Sequence, residues 1–382
     1  MTALDEAVLD DTAALDAGDP SKMLRAVASS AAQIRMAVTA SNEAGLAAVS
    51  ELGRPRALVV AGMGGSGISG DVLAAVAGMA SPVPVIVHRG YGLPAWVGAA
   101  DLVVAVSCSG GTEETLSATD EAIRRGVPLV GVGRTDSPLG QRCEGARAPI
   151  VPVTMHVGPR ATLWGLATPL LVLAARLGLA DLGEADEQLE AAAVRLEQMA
   201  ELCRPDRELF VNPAKSLALD LAGTIPMIWG SGQVGPVAAY RMVCQLAENA
   251  KYPAVPGALP EAHHNQVVAL DGVLAGASAD DDIFRDRVED DSAVRLRLVV
   301  VDDETDDTSR ADISEEVAQA RGVAVTRLRT EGASAVERLA SVVGLIDYAS
   351  VYLALVQGID PTPVAPIDAL KKRLESVAAA EQ

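Results

Sequence analysis

Aromatic side chains are scarce in this chain: Phe, Trp and Tyr together make up 3% of its 382 residues, although 49% of the sequence is hydrophobic. A large core therefore has to be built from Ala, Val, Leu and Ile, and the length suggests two or three domains. Cysteine is rarer still. Cys108, Cys143, Cys203 and Cys244 are scattered without C-x-x-C spacing, which argues against a disulfide scaffold and for reduced thiols in the cytoplasm. The four histidines (His88, His156, His263, His264) form one adjacent pair and no zinc-ligand pattern. Positive charge is thin. The formal net charge is −20 and no basic run exceeds Lys371-Lys372-Arg373, which argues against a nucleic-acid partner and means that any phosphate site must build its positive potential locally. No uninterrupted apolar stretch reaches bilayer length, so no membrane partner is expected. The opening Met1-Thr2-Ala3-Leu4-Asp5-Glu6 carries acids where a secretory leader carries bases.

What is present is an alternation. Residues 1–50 read as helical, with a break at Asp19-Pro20-Ser21. Apolar β-type runs follow at Ala57–Ala61, Val83–His88, Leu102–Ser107 and Pro128–Gly133, with helical stretches between them. That order predicts an α/β fold with a parallel sheet and helices on both faces. Residues 163–200 are strongly helical, and the pattern then restarts. Thr224–Gly232 reads as a strand ending in a glycine turn, with a helix through Tyr240 to Asn249. Leu296–Val301 and Ala324–Leu328 read as strands, and Ile313–Arg321 and Val336–Gln357 as helices. The expected organisation is an N-terminal helical segment (1–50) and two α/β domains of one build (51–200 and 205–382), the second ending in a C-terminal helix. The acid-rich stretch 276–311 reads as a solvated loop bordering a strand.

Two segments have the form of anion sites. Val103–Ser107 runs into Cys108-Ser109-Gly110-Gly111-Thr112-Glu113-Glu114-Thr115, and Ala57–Ala61 runs into Gly62-Met63-Gly64-Gly65-Ser66-Gly67-Ile68-Ser69-Gly70-Asp71. Each is strand, glycine loop, helix. Glycines such as Gly64 and Gly65 admit close backbone approach, the helix start offers free N–H groups and a positive dipole end, and Ser66, Ser107, Ser109 and Thr112 add hydroxyl donors. The Cys108–Thr115 loop has neither a P-loop lysine nor dinucleotide glycine spacing, so the ligand expected is a compact phosphate on a small molecule, bound at strand carboxyl ends.

Further segments carry groups able to do chemistry, each with a plainer alternative. Arg160, after Pro159, suits an oxyanion or a phosphate, or else pairs with a surface acid. Glu248, within Glu248-Asn249-Ala250-Lys251-Tyr252-Pro253, suits a general base if burial tunes it, or is an exposed helix-end glutamate. His263 and His264 are loop histidines able to move protons near neutral pH, or have no role. Asp360-Pro361-Thr362-Pro363-Val364 leads into a basic terminal helix in which Lys371 or Lys372 either reaches a site or is solvated.

Taken in order over most of residues 55–375, these segments resemble the bifunctional phosphoglucose/phosphomannose isomerases, a branch of the sugar isomerase (SIS) domain proteins. The resemblance rests on G-M-G-G-S-x-I-x-G-D (Gly62–Asp71), S-x-S-G-x-T-E-E-T (Ser107–Thr115), Pro159-Arg160, E-N-x-K-x-P (Glu248–Pro253), His264-Asn265 and D-P-T-P-V-x-x-I-x-x-L-K (Asp360–Lys371). It implies two SIS domains, each a flavodoxin-like doubly wound sheet, and a homodimer. It implies that Ser66 and the Ser107/Ser109/Thr112 loop hold a sugar phosphate. Glu248 would shuttle a proton between C1 and C2 through an enediol(ate), Arg160 would steady its charge, and His264 from across the dimer interface would assist ring opening together with Lys371. Thr362 is implied in admitting the C2 epimer. No metal or organic cofactor is implied, because the carbonyl of the opened sugar already acidifies the neighbouring C–H. Gly111 departs from the usual Asn, Cys108 from a common Tyr, and His263 stands where Asn is frequent.

The expected function is thus a cytoplasmic, metal-independent aldose–ketose isomerase acting on glucose 6-phosphate and/or mannose 6-phosphate and fructose 6-phosphate. The alternative from another class is a non-catalytic sugar-phosphate-binding regulator, suggested by Gly111 and the acidic segment.

Overall fold

Short runs of Val, Leu and Ala bounded by glycine form the first sheet. In the computed structural model, which describes residues 5–51, 53–154, 157–180, 182, 185–275, 294–303 and 310–380, these are β1 (Leu58–Ala61), β2 (Val85–His88), β3 (Leu102–Ser107), β4 (Leu129–Gly133) and β5 (Ile150–Pro152). They pair in parallel in the order β2-β1-β3-β4-β5, the flavodoxin-like winding. Every residue of β1, β3 and β4 is buried, as expected for a parallel sheet covered on both faces.

Ahead of this sheet lie α1 (Thr12–Gly18), α2 (Met23–Ala28), α3 (Ser30–Glu43) and α4 (Leu46–Ser50). Crossovers are α5 (Gly64–Ala77), α6 (Glu113–Arg125) and α7 (Pro138–Ala146). The sequence of α6 fixes both of its ends: Glu113 and Glu114 lie in its first turn and Arg124 and Arg125 in its last, and Gly126 closes it at φ +67. The helical stretch 163–200 is two helices, α8 (Leu163–Arg176) and α9 (Ala185–Leu202). Gly178, at φ +65, takes the chain out of the first.

The second half repeats the scheme. After α10 (Pro213–Leu221), the elements are β6 (Thr224–Gly230), α11 (Gly235–Asn249), β7 (Val255–Ala258), β8 (Arg295–Asp302), α12 (Arg310–Gln319), β9 (Ala324–Arg329), α13 (Ala335–Val356) and α14 (Ala365–Ala380). Its four parallel strands run in the order β7-β6-β8-β9, the same winding with one strand fewer. The fold class read from the sequence is the one observed. The two strands it does not anticipate, β5 and β7, are short edge strands containing Pro152 and Pro256, a position where the missing N–H is tolerated.

Helix α13 is, by length and composition, long and apolar enough to cross a membrane, yet 94% of its apolar window is buried inside the protein. It is the central core helix, packed on α9, α10 and α11, and Asp347 interrupts its apolar run. One expectation needs correction. The acidic stretch 276–311 lies largely outside the described residues, but its Asp302 and Asp303 are buried, at 7% and 6% exposure, rather than solvated. Both make ion pairs, with Arg327 and Arg338 respectively.

Candidate active site

Strand order reverses between β1 and β3, and such a switch point opens a crevice at the strand carboxyl ends. Both glycine loops lead out of that crevice. Gly64 takes φ +52 to turn the chain from β1 into α5. Ser66, in the first turn of α5, is buried, and its Oγ accepts the Cys108 N–H at 3.4 Å, tying one loop to the other. Ser107 Oγ and Thr112 Oγ1 are 3.0 Å apart, and Ser109 Oγ accepts the Gly111 N–H at 3.3 Å. Neither α5 nor α6 has a side-chain cap on its N-terminus, so the first N–H groups of both helices remain available at the crevice. Ser66, Ser107, Ser109, Thr112, Gly64 and Gly65 are thus gathered in one place. Cys108 is buried beneath them, and burial pushes its thiol up to about 11, which keeps it protonated.

The matching crevice of the second sheet, between β6 and β8, is filled from within. Asp303, just after β8, accepts the N–H groups of Gln233 and Val234 at 2.9 Å each with Oδ2. Its Oδ1 accepts from Thr330 Oγ1 and from Arg338 Nε, both at 2.7 Å. The chain's own carboxylate occupies the place where an anion would sit at the start of α11.

The first crevice is joined by groups from the second half. A Cβ on Gly65 would stand 3.2 Å from the Pro159 carbonyl oxygen, so the first turn of α5 packs directly on the 3-10 turn Pro159–Ala161 that carries Arg160. The Arg160 guanidinium donates from Nε to Asn249 Oδ1 at 2.7 Å, and from Nη2 to the carbonyls of Pro361 at 2.9 Å and Thr362 at 2.5 Å. Its Nη1 faces Glu248, 3.6 Å from Oε2, an ion-pair distance rather than a hydrogen bond. The arginine is almost fully buried and the Glu248 side chain is 30% exposed, so the carboxylate stands at the surface of the crevice with the cation fixed behind it. Burial lowers the pKa of Arg160 from the usual arginine range, and Glu248 opposes that effect. A carboxylate base beside a preorganised cation, next to an anion loop, is the arrangement that proton abstraction alpha to a carbonyl requires.

Several participants were not singled out from the sequence. Lys251, at φ +55, donates from Nζ to the carbonyls of Glu248 (2.8 Å), Asn249 (3.3 Å) and Pro361 (3.3 Å), capping the C-terminal end of α11 with positive charge. Burial, with Arg160 next in weight, lowers its pKa. Behind Arg160, its own carbonyl accepts from Arg241 Nη2 at 2.5 Å, and Arg241 pairs with Asp347 at 2.9 Å. The available signal was Asp347, a lone acid inside the apolar α13, since a buried acid implies a partner. Backbone carbonyls such as those of Pro361 and Thr362 carry no sequence signal.

The remaining expected residues are Thr362, His264 and Lys371. Thr362 is at the site through its carbonyl, and its Oγ1 is buried with no hydrogen-bond partner among the described residues. His264 is exposed on the 3-10 turn Glu261–His264, and Lys371 is exposed on α14. Among the described residues neither makes a hydrogen bond or ion pair, with Arg160, Glu248 or any other group. His263, by contrast, is tied to Ser314 Oγ at 2.8 Å and packs edge-on against Trp229.

Residues 210–374 match the model of the bacterial phospho-glucose isomerase C-terminal SIS domain. A bifunctional phosphoglucose/phosphomannose isomerase of Caldicellulosiruptor bescii is 32% identical over 84% of this chain and 90% of its own length. Its counterpart in Aquifex aeolicus is 30% identical over 84% and 91%. In fold, a glucose-6-phosphate isomerase of Chlamydia trachomatis superposes with a TM-score of 0.62 at 13% identity, covering 91% of this chain and 73% of that one. With the paired glycine loops, the Arg160–Glu248 pair and these likenesses together, the chain belongs to the bifunctional phosphoglucose/phosphomannose isomerase family of SIS-domain proteins.

Proposed function

We propose that this protein interconverts glucose 6-phosphate and/or mannose 6-phosphate with fructose 6-phosphate. The observation that carries the reading is the Arg160–Glu248 pair, 3.6 Å apart at the mouth of the serine- and threonine-lined crevice. The phosphate docks against Ser66, Ser107, Ser109 and Thr112 and the open starts of α5 and α6. Glu248 removes the proton from C2 of the open aldose. The C–H electron pair forms the C1–C2 double bond and the carbonyl pair moves onto O1, giving an enediolate whose charge faces Arg160 Nη1. A proton passes between the two oxygens, and Glu248 returns its proton to C1 as the ketone forms at C2. Atoms and electrons balance without a redox partner, because the sugar's own carbonyl acidifies the C–H.

Ring opening precedes this. The reading assigns it to His264, supplied by a second copy in a homodimer, and to Lys371 on α14, while Thr362 shapes the space around C2. Residues 51–200 and 205–382 are taken as the two SIS domains behind the helical segment 1–50, and the cytoplasm as the compartment.

The test is to mix metal-chelated protein with fructose 6-phosphate and follow both aldose products by NMR. Formation of glucose 6-phosphate and mannose 6-phosphate is expected. Line broadening of the sugar phosphate with no product would replace the isomerase by a binding protein, and neither signal would remove the phosphate site itself.

A further inference from the structure

Three of the five N–H donors of Arg160 are committed to protein acceptors, and they are the ones on Nε and Nη2. Only Nη1 is left to face Glu248 and whatever binds beside it. The two backbone carbonyls hold one end of the fork; the side chain that holds the other is Asn249. We propose that Asn249 is a positioning residue of the isomerisation: it fixes the rotation of the Arg160 guanidinium so that Nη1 meets the charge that develops next to Glu248. This rests on the isomerase reading above.

Asn249 is fully buried and its amide orientation is determined on both sides. Oδ1 accepts from Arg160 Nε at 2.7 Å, while Nδ2 donates to Ser350 Oγ at 2.9 Å. Ser350 Oγ in turn donates to the Asp347 carbonyl at 2.8 Å. A flipped amide would set the Asn249 Nδ2 donor against the Arg160 Nε donor, and would draw the Ser350 hydroxyl proton away from the Asp347 carbonyl. The support runs on, since the Asp347 carboxylate holds Arg241, and Arg241 donates to the Arg160 backbone carbonyl. Both the backbone and the side chain of Arg160 are thereby referred to α13. Asn249 also follows Glu248 directly at the end of α11. Base and cation are therefore set at a fixed separation by consecutive residues of one backbone.

Without Asn249 the guanidinium is held at Nη2 alone, by the Pro361 and Thr362 carbonyls, and the direction of Nη1 loses one of its two anchors. Substrate contacts in the phosphate crevice are untouched. The loss should fall on kcat, because the affected interaction is realised as charge forms and not when the sugar phosphate docks.

The experiment is steady-state kinetics with fructose 6-phosphate on the full-length protein, with melting temperature recorded for each variant. Asn249→Ala and Asn249→Leu should lower kcat about 10- to 100-fold, the scale of a small misplacement of a catalytic group, with KM within about threefold of wild type. Asn249→Asp, which keeps an acceptor for Nε, should recover most of that loss, a rescue that a purely structural role would not give. Ser350→Ala leaves Asn249 in place and should lower kcat several-fold with little change in melting temperature. Unchanged kcat in the Ala and Leu variants, or a loss confined to KM or to melting temperature, overturns the assignment. If those two variants fail to fold, unchanged kcat in Ser350→Ala overturns it. An inactive wild type would sink the isomerase reading and the role of Asn249 with it; an active wild type with unaffected variants sinks Asn249 alone.

Discussion

Arg160 Nη1 stands 3.6 Å from Glu248 Oε2 although the two residues come from opposite halves of the chain. Arg160 follows the last strand of the first sheet, and Glu248 ends the helix that follows the first strand of the second. The pair exists only when the halves are seated against each other, so the proposed chemistry belongs to the seam and not to either sheet. Glu248→Gln keeps the shape and removes the proposed base; kcat should fall by about two to four orders of magnitude, while the rise in melting temperature with fructose 6-phosphate persists. Arg160→Lys should not rescue an Arg160→Ala loss of about 10²- to 10³-fold, because an ammonium cannot serve Asn249, Pro361 and Thr362 in the planar fork that holds the side chain now. Full activity in the lysine variant would show that charge alone matters there.

The phosphate crevice should answer in KM. Ser66→Ala and Thr112→Val each remove a hydroxyl from the β1 and β3 loops, and a hydrogen bond to a charged group contributes about 1.5–3 kcal/mol. Each should raise KM for fructose 6-phosphate about tenfold or more with a smaller effect on kcat, and each should weaken competitive inhibition by inorganic phosphate in parallel. A change in kcat with KM intact would move the phosphate elsewhere.

If a second copy supplies His264, two dead proteins should make a live one. Chains carrying Glu248→Gln and chains carrying His264→Ala, unfolded together and refolded at equal amounts, form half mixed dimers, each with one intact site. Activity should return to about a quarter of wild type. No recovery, with mixed dimers demonstrated by a size tag, would mean that the histidine serves its own chain, and activity in His264→Ala alone would mean that it has no part in the reaction.

The winding of the sheets and the two glycine loops were legible in the sequence because they are local: β-type runs, glycine turns and helix starts occupy consecutive residues. Glu248 and Arg160 were legible one by one but not as a pair, since their separation is set by packing between α11 and the turn Pro159–Ala161. The support behind them was not legible at all. Asn249 reads as one more polar residue at a helix end, and the carbonyls of Pro361 and Thr362 are common to every residue type. Asp302 and Asp303 were misread for a related reason: an acidic run looks solvated unless the arginines that bury it, here Arg327 and Arg338, are known to lie beside it.

Asp303 occupies the crevice of the second sheet that corresponds to the proposed phosphate site. Its carboxylate accepts two N–H groups at the start of α11 and holds Arg338. Asp303→Ala should destabilise the protein by about 2–3 kcal/mol, from the lost cap and the unpaired buried donors, read as a shift of the urea midpoint. KM for fructose 6-phosphate should stay put if the proposed crevice of the first sheet holds the phosphate. A rise in KM without loss of stability would instead implicate the second crevice in substrate binding.

A further ion pair makes the stability of the first sheet depend on acid. Asp101, at the foot of β3, has a fully buried side chain that accepts from Arg56 Nε at 2.9 Å and Nη2 at 2.6 Å and from the Gly98 N–H at 2.8 Å. The Arg56 hydrogen bonds hold its carboxyl below the usual aspartate range, against the opposing effect of burial. A carboxyl whose folded pKa is depressed contributes its stability above the unfolded value of about 3.9, and that contribution is lost as pH falls through the folded value. Asp101→Asn keeps the size and removes the charge. Its melting temperature should lie below wild type at pH 7, and the gap should close as the pH is lowered below about 4. A gap of constant size from pH 7 to pH 3 would mean that the hydrogen-bond geometry, and not the charge, is what Asp101 contributes.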